Sequence, residues 1–170
     1  MLKRDNKLWA PWRMEHIKCD LSSGTNKCVL CIEMNKLDDR KNLILFRGKF
    51  SFIIMNLYPY NNGHLMVCPY RHIASLSKLN EETLSEIMKL ISKSSEILRK
   101  TLNAEGFNIG ANIGSVGGAG IDDHLHFHVV PRWKGDTNFM PVVGNTKDIM
   151  SGLHDTYDEL YFHFQKCLTK

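Results

Sequence analysis

Residues 122 to 133, DDHLHFHVVPRW, set three histidines at alternate positions and then meet Pro131. Strict alternation of polar and apolar residues marks a strand with one face in the core, because successive side chains of an extended chain point to opposite sides. His124, His126 and His128 are therefore expected on one face of a strand over 124–130, with Leu125, Phe127 and Val129 facing the core. At a rise of about 3.3 Å per residue, neighbouring imidazoles would stand roughly 7 Å apart. Histidine has no marked strand preference, so three at this period have no packing reason and point to a site. Two chemistries suit such a row: metal coordination, and attack at phosphorus by a neutral imidazole while its neighbours orient it or donate protons.

The rest of the chain frames that strand. Short runs rich in Ile, Val, Leu and Phe predict strands at 43–47, 50–55, 64–68 and 107–113, with Arg47-Gly48-Lys49 as a hairpin turn and Pro59 to Gly63 as a loop. From Asn80 the period changes, and Leu84, Ile87, Met88, Ile91, Leu98 and Leu102 follow helical spacing. Asn80 suits the N-cap, Glu81 and Glu82 the positive end of the dipole, and Arg99 and Lys100 the negative end, which predicts a helix over 80–102. A second helix is expected from about Asp148 to Leu168. The fold class is α+β: one antiparallel sheet of about five strands with one long helix and a C-terminal helix. At 170 residues the chain is read as a single domain, 1–170, with an N-terminal extension over about 1–27 and a helical tail over about 146–170.

Composition narrows the function classes. A hydrophobic fraction of 43% and a charged fraction of 24% are those of an ordinary globular protein. The net charge of +4 is spread along the chain, which hints at anionic ligands and gives no nucleic-acid footprint. No apolar run approaches a membrane span, and Trp9, Pro11 and Trp12 interrupt the stretch where a secretory signal would need continuous apolar residues. The five cysteines are odd in number and include one C-x-x-C pair, Cys28 and Cys31, which fits a reducing compartment; the expectation is cytoplasmic. That pair can hold a tetrahedral metal ion, act as a redox couple, or be two buried soft side chains, and the spacing alone does not choose.

Just before the histidines lies NIGSVGGAG, residues 112–120, whose glycines let backbone N–H groups approach an anion closely. Neither G-x-x-x-x-G-K-[ST] nor G-x-G-x-x-G is present, so the loop gains meaning from being joined to the histidines. Together they favour phosphate chemistry over a purely metal-binding row.

The stretch HLHFHVV resembles the H-x-H-x-H-x-x signature of the histidine triad family of nucleotide hydrolases and transferases. MNLYPYNNGHLMVCPYRHIASL (55–76), GFNIGANIGSVGGAGIDD and PRWKGDTNFMPV (131–142) are similar, in order and spacing, to that family's other blocks, the last to its bacterial members acting on diadenosine polyphosphates. The resemblance implies that His126 is the nucleophile, attacking an α-phosphorus to form a nucleotidyl-histidine, and that His128 contacts the phosphate. It implies that Asn56 contacts the nucleotide sugar, and that Asn112, Gly117, Gly118 and Gly120 lie along the phosphates. In zinc-bearing members a histidine of P-x-x-H and the first triad histidine join two cysteines. Here that set would be Cys28, Cys31, His72 and His124, a structural zinc site, with His124 shared between metal and triad. His64 is expected to be a buried, satisfied histidine. Many members have glutamine where this chain reads Gly118-Ala119-Gly120, which leaves the choice among hydrolysis, phosphorolysis and phosphoramidate cleavage open. The implied function is hydrolysis or transfer at the α-phosphate of a dinucleoside polyphosphate by a homodimer, with magnesium allowed as a companion of the substrate. A nucleoside phosphoramidate hydrolase and a non-catalytic nucleotide-binding protein are the alternatives.

Overall fold

A computed structural model describes residues 28–35, 37–136 and 152–168. The N-terminal extension expected over about 1–27, with Trp9 and Trp12, lies outside the described residues. The elements are helix α1 (Val29–Met34), strands β1 (Ile44–Arg47), β2 (Ser51–Met55) and β3 (Leu65–Pro69), helix α2 (Glu81–Leu102), strands β4 (Gly106–Gly110) and β5 (Phe127–Arg132), and helix α3 (Leu153–Leu168). The strands form one sheet in the order β1-β2-β3-β5-β4, every neighbouring pair antiparallel.

Every residue of β2 and β3 is buried, as continuous apolar runs require of central strands. α2 covers β2, β3 and β5 with Ile87, Leu90, Ile91, Ile97 and Leu98; of the stripe expected from the sequence Ile87, Ile91 and Leu98 are buried, Leu90 and Ile97 join them, and Met88 instead lies on the outer side, 57% exposed. Its start is fixed as expected: the Asn80 side chain accepts from Thr83 N at 3.1 Å, a cap worth about 1 kcal/mol. Its stop is Asn103 in the left-handed region (φ 51), three residues before Gly106; asparagine tolerates that conformation better than most residues. Glu86 ties the helix to the β1–β2 hairpin, its carboxylate accepting from the backbone N–H groups of Lys49, Phe50 and Ser51 and from the Ser51 hydroxyl. A Cβ at Gly48 would collide with that carboxylate, so the hairpin needs glycine there.

α3 packs on β1 and α2. Tyr157 Oη donates to the Ile44 carbonyl at 2.9 Å and Gln165 Nε2 to the Leu45 carbonyl at 3.0 Å, so side chains of α3 occupy acceptors of an edge strand. The opposite edge is β4, which has β5 on one side and no strand among the described residues on the other.

The structure corrects the reading of the histidine strand. β5 begins at Phe127, so only His128 of the three lies within it. Its ladder to β3 starts at the pair Val67–Phe127, and before that point Leu125 N leaves the sheet to donate to the Ile73 carbonyl at 2.7 Å. The strand also runs through Pro131 instead of ending there. Beyond Val129 the ladder to β3 has stopped, and Pro131 pairs only with Phe107 of β4, so the missing N–H breaks no β3 bond.

Candidate active site

Two groups of side chains grow out of the segment 123–128, and they use their ring nitrogens in opposite ways. The first is the cysteine end. α1 starts on Cys28 as its N-cap, and Cys31 follows one turn later, so helical geometry brings both thiols to one side. The α1 helix was not anticipated from the sequence, since six residues give too short a pattern to recognise. His124 Nδ1 lies 3.3 Å from Cys28 Sγ and 3.4 Å from Cys31 Sγ, and His72 Nδ1 lies 3.3 Å from Cys31 Sγ. All four donor atoms fall within 4.8 Å of one another. A tetrahedral zinc ion with bonds of about 2.3 Å to sulfur and 2.0–2.1 Å to nitrogen needs S···N separations of roughly 3.6 Å, so the set has the size of a closed Cys₂His₂ site.

The outer nitrogens of this group are engaged. His124 Nε2 donates to the Pro69 carbonyl at 2.9 Å, which leaves Nδ1 as the lone-pair atom facing the thiols. His72 Nε2 sits 3.3 Å from Asp123 Oδ2. Partners of this kind orient histidine ligands and fix their tautomers. Asp123 is therefore part of this group. Burial pushes the Cys28 thiol up to about 11 and pulls the His124 ring below the usual histidine value.

The second group is the imidazole pair. His126 is 4% exposed, and its Nδ1 donates to the carbonyl of His124 at 2.8 Å. A neutral ring with its proton on Nδ1 carries its lone pair on Nε2, and no hydrogen bond among the described residues occupies that atom. The His126 and His128 rings meet edge-on at 4.9 Å, closer than a regular strand would hold them, because the chain turns out of the sheet at His126. His64 is fully buried, as expected. Its Nδ1 accepts from Tyr60 N at 3.1 Å, so its proton is on Nε2, which lies 3.0 Å from His128 Nδ1. His128 Nδ1 is then an acceptor, and its own proton sits on Nε2. The relay Tyr60 to His64 to His128 produces a donor beside the lone pair of His126. Sequence reading placed His64 correctly in the interior and missed that it sets a tautomer; only the register that puts Met66 opposite His128 brings the two rings together.

The glycine loop differs from expectation. Residues Ser115–Gly117 form a 3₁₀ turn, with Gly114 (φ 75) and Gly118 (φ 82) in the region that favours glycine. The N–H groups of Gly117, Gly118 and Ala119 bond to carbonyls within the loop, and Asn112 Nδ2 donates to the Gly118 carbonyl at 3.1 Å. Those groups stiffen the loop instead of pointing outward as an anion cradle. A Cβ at Gly117 or Gly120 would meet nothing within 4 Å, so those two positions border open space. Asn56 closes a turn, its Oδ1 accepting from Tyr58 N at 2.9 Å.

An open cleft of about 390 Å³ begins at His128 and Asn112 and ends at Arg132, with Tyr60, Asn61, Asn108 and Val130 along it. Arg132 is clamped there. Its guanidinium makes a bidentate pair with Asp136 at 2.6 and 2.7 Å and donates to Asn108 Oδ1 at 2.7 Å. That pairing holds the Asp136 carboxyl far below the usual carboxylate range.

With this geometry in place the comparisons are direct. The HIT domain family model matches residues 38–135. The chain belongs to the HIT family. A HIT relative, the AP-4-A phosphorylase of Mycobacterium tuberculosis, is 39% identical over 155 residues, covering 88% of this chain and 80% of its own. The bis(5'-nucleosyl)-tetraphosphatase [asymmetrical] of Schizosaccharomyces pombe is 31% identical over 55% of this chain and 50% of its own. Among solved structures, a Zn-bound histidine triad family protein from Mycobacterium smegmatis superposes with a TM-score of 0.66 at 23% identity, over 82% of this chain and 94% of that one. A histidine triad nucleotide-binding protein from Sulfolobus tokodaii gives 0.63 at 26% identity, over 82% and 90%. The α+β architecture read from the sequence is thus the HIT fold.

Proposed function

We propose that this HIT protein is an enzyme that cleaves dinucleoside polyphosphates, such as diadenosine tetraphosphate, at an α-phosphorus through a nucleotidylated His126. The observation that carries the reading is the hydrogen bond from His126 Nδ1 to the His124 carbonyl, which leaves the Nε2 lone pair as the atom for attack. In the first step Nε2 forms a bond to phosphorus, the bond to the bridging oxygen breaks, and the polyphosphate leaves with that electron pair. His128 Nε2–H supplies a hydrogen bond to the phosphoryl oxygens as charge develops. In the second step an acceptor oxygen attacks the phosphoramidate and His126 is released. The name of the mycobacterial relative assigns phosphate as acceptor in that protein, and we carry this to the present chain. The leaving group then departs as ATP and the second step yields ADP. Asn56, Gly117, Gly118 and Gly120 are assigned to the substrate side of the site, with Asn112 holding the loop between them.

Cys28, Cys31, His72 Nδ1 and His124 Nδ1 are assigned as the ligands of a structural zinc ion. When bound, zinc supplies a closed tetrahedral crosslink between α1 and the segment preceding β5. His124 accordingly belongs to the metal and serves the reaction through its backbone carbonyl. Magnesium requires no protein site in this reading, since a polyphosphate brings it along. The open edge of β4, where Ile109 is 49% exposed, is assigned to a homodimer contact. No helix among the described residues is long and apolar enough to cross a membrane, and a cytoplasmic location is part of the proposal.

The test is to incubate the protein with diadenosine tetraphosphate labelled in the α-phosphate, with and without inorganic phosphate. The expected result is acid-labile label on the wild-type chain, none on His126→Asn, and ADP plus ATP as products. AMP plus ATP would move the acceptor to water, and labelling that survives in His126→Asn would overturn the assignment.

A further inference from the structure

The cleft beyond His128 is longer than one phosphate group requires, and its far end has a distinct chemistry. His128, Val130 and Arg132 alternate along β5, so they share one face, and β4 sets Gly110, Asn108 and Gly106 directly opposite them. Arg132 lies about 13 Å from His128 at the usual strand rise. At the near end Gly110 faces His128, and a Cβ there would meet nothing within 4 Å, so the trough is open where a phosphate chain would pass. Val130 provides an apolar floor in the middle.

The far end is not a phosphate grip. The bidentate pair with Asp136 cancels the charge of Arg132, and Asp136 is held to it by two further donors, Asn61 Nδ2 at 2.8 Å and Trp133 N at 3.4 Å. What remains is a pair of amides. Asn108 Oδ1 is taken by Arg132, which orients its Nδ2 as a donor with no hydrogen-bond partner among the described residues. Asn61 Nδ2 is taken by both the Pro131 carbonyl at 2.9 Å and Asp136, which fixes its Oδ1 as an acceptor, again without a partner among the described residues. A donor and an acceptor beside an apolar floor match the edge of an adenine, where an exocyclic N–H adjoins a ring nitrogen; asparagine is well suited to that edge. A volume of about 390 Å³ lies at the lower end of small-molecule sites.

We infer that the cleft from His128 to Arg132 binds the second nucleoside of the substrate, the one that departs with the polyphosphate, and that Asn108 and Asn61 read its base. The inference rests on the proposed function for its substrate and adds the part of the site that separates a dinucleotide from a mononucleotide. The phosphate chain passes over Gly110, its ribose lies over Val130, and the base is held at the neutral Arg132 end.

The experiment measures binding without turnover. Calorimetric titration of the His126→Asn chain compares diadenosine tetraphosphate with adenosine 5'-tetraphosphate, which carries the same phosphates and lacks the second nucleoside. The expected result is about tenfold tighter binding of the dinucleotide, or roughly 1.4 kcal/mol. That preference should disappear when Asn108→Asp is added, since this change keeps an oxygen toward Arg132 and removes the donor. Asn108→Ala should remove it as well, and binding of adenosine tetraphosphate reports that each variant is folded. Equal affinity for the two ligands, no binding of either, or a preference that survives both Asn108 changes would overturn the inference. Failure of the proposed function is seen separately, as absence of turnover of either ligand by the chain with His126 intact.

Discussion

His124 and His126 are two residues apart and chemically identical, yet the fold gives them opposite tasks. His124 spends Nε2 on the Pro69 carbonyl and turns Nδ1 to two thiols; His126 spends Nδ1 on the His124 carbonyl and keeps Nε2 clear. The difference lies in which nitrogen meets a backbone acceptor. A carbonyl at the far nitrogen leaves His124 Nδ1 facing the cysteines, and a carbonyl at the near nitrogen leaves His126 Nε2, the atom proposed as nucleophile, without a hydrogen-bond partner among the described residues. Because the acceptor for His126 belongs to His124, immobilising the first ring also places the second.

Four changes would break or sharpen that contrast. The largest effect is expected for His126→Asn, which removes the lone pair and should lower turnover by about 10⁴-fold or more while leaving the metal content unchanged, as measured by rate and by elemental analysis. Next is Cys31→Ser. It should abolish stoichiometric metal and cost roughly 3 kcal/mol of stability, seen as a lower midpoint of thermal unfolding; chelation of the wild-type chain should reproduce the loss. A Cys31→Ser chain that keeps its metal would show that the ligand set is wrong. His64→Asn leaves both backbone acceptors in place and removes the proton that sets the His128 tautomer. It should reduce kcat about 10²-fold with little change in KM, because the donor acts on developing charge.

The smallest effect concerns the Asp136–Arg132 pair. A carboxyl held below its ordinary pKa adds stability that is present above about pH 4 and is lost as pH falls through the lower folded value. Comparing thermal midpoints of wild type and Asp136→Asn should show a gap on the order of 1 kcal/mol that is constant from pH 5 to 8 and shrinks below pH 4. A gap that instead grows toward low pH would contradict the assigned pair.

Legibility in the sequence followed the length of each pattern. α2 was readable over its whole length because its apolar period and charged ends repeat the same message over six turns, and β2 and β3 because buried strands are written as unbroken apolar runs. Helix α1 was not, since six residues carry less than two turns of pattern. Within the site, residue types at fixed spacing named the participants: Cys28, Cys31, His72 and His124 do converge, and His126 and His128 do adjoin. What spacing could not show is where each ring proton goes. Pro69, the carbonyl of His124 and the amide of Tyr60 decide it, and those are backbone groups available at any residue. Nor could spacing show that the N–H groups of Gly117, Gly118 and Ala119 bond within the loop, because glycine permits a tight turn as readily as an outward cradle.

The two borders of the sheet carry a last consequence. Side chains of α3 occupy carbonyls of β1, while β4 keeps an unpaired side among the described residues. A sheet that can accept a neighbour on one flank only has no means of propagating: two molecules joined flank to flank leave no template for a third. Among the described residues, strand addition is therefore open at β4 and obstructed at β1, where the hydrogen bonds of Tyr157 and Gln165 occupy the carbonyls.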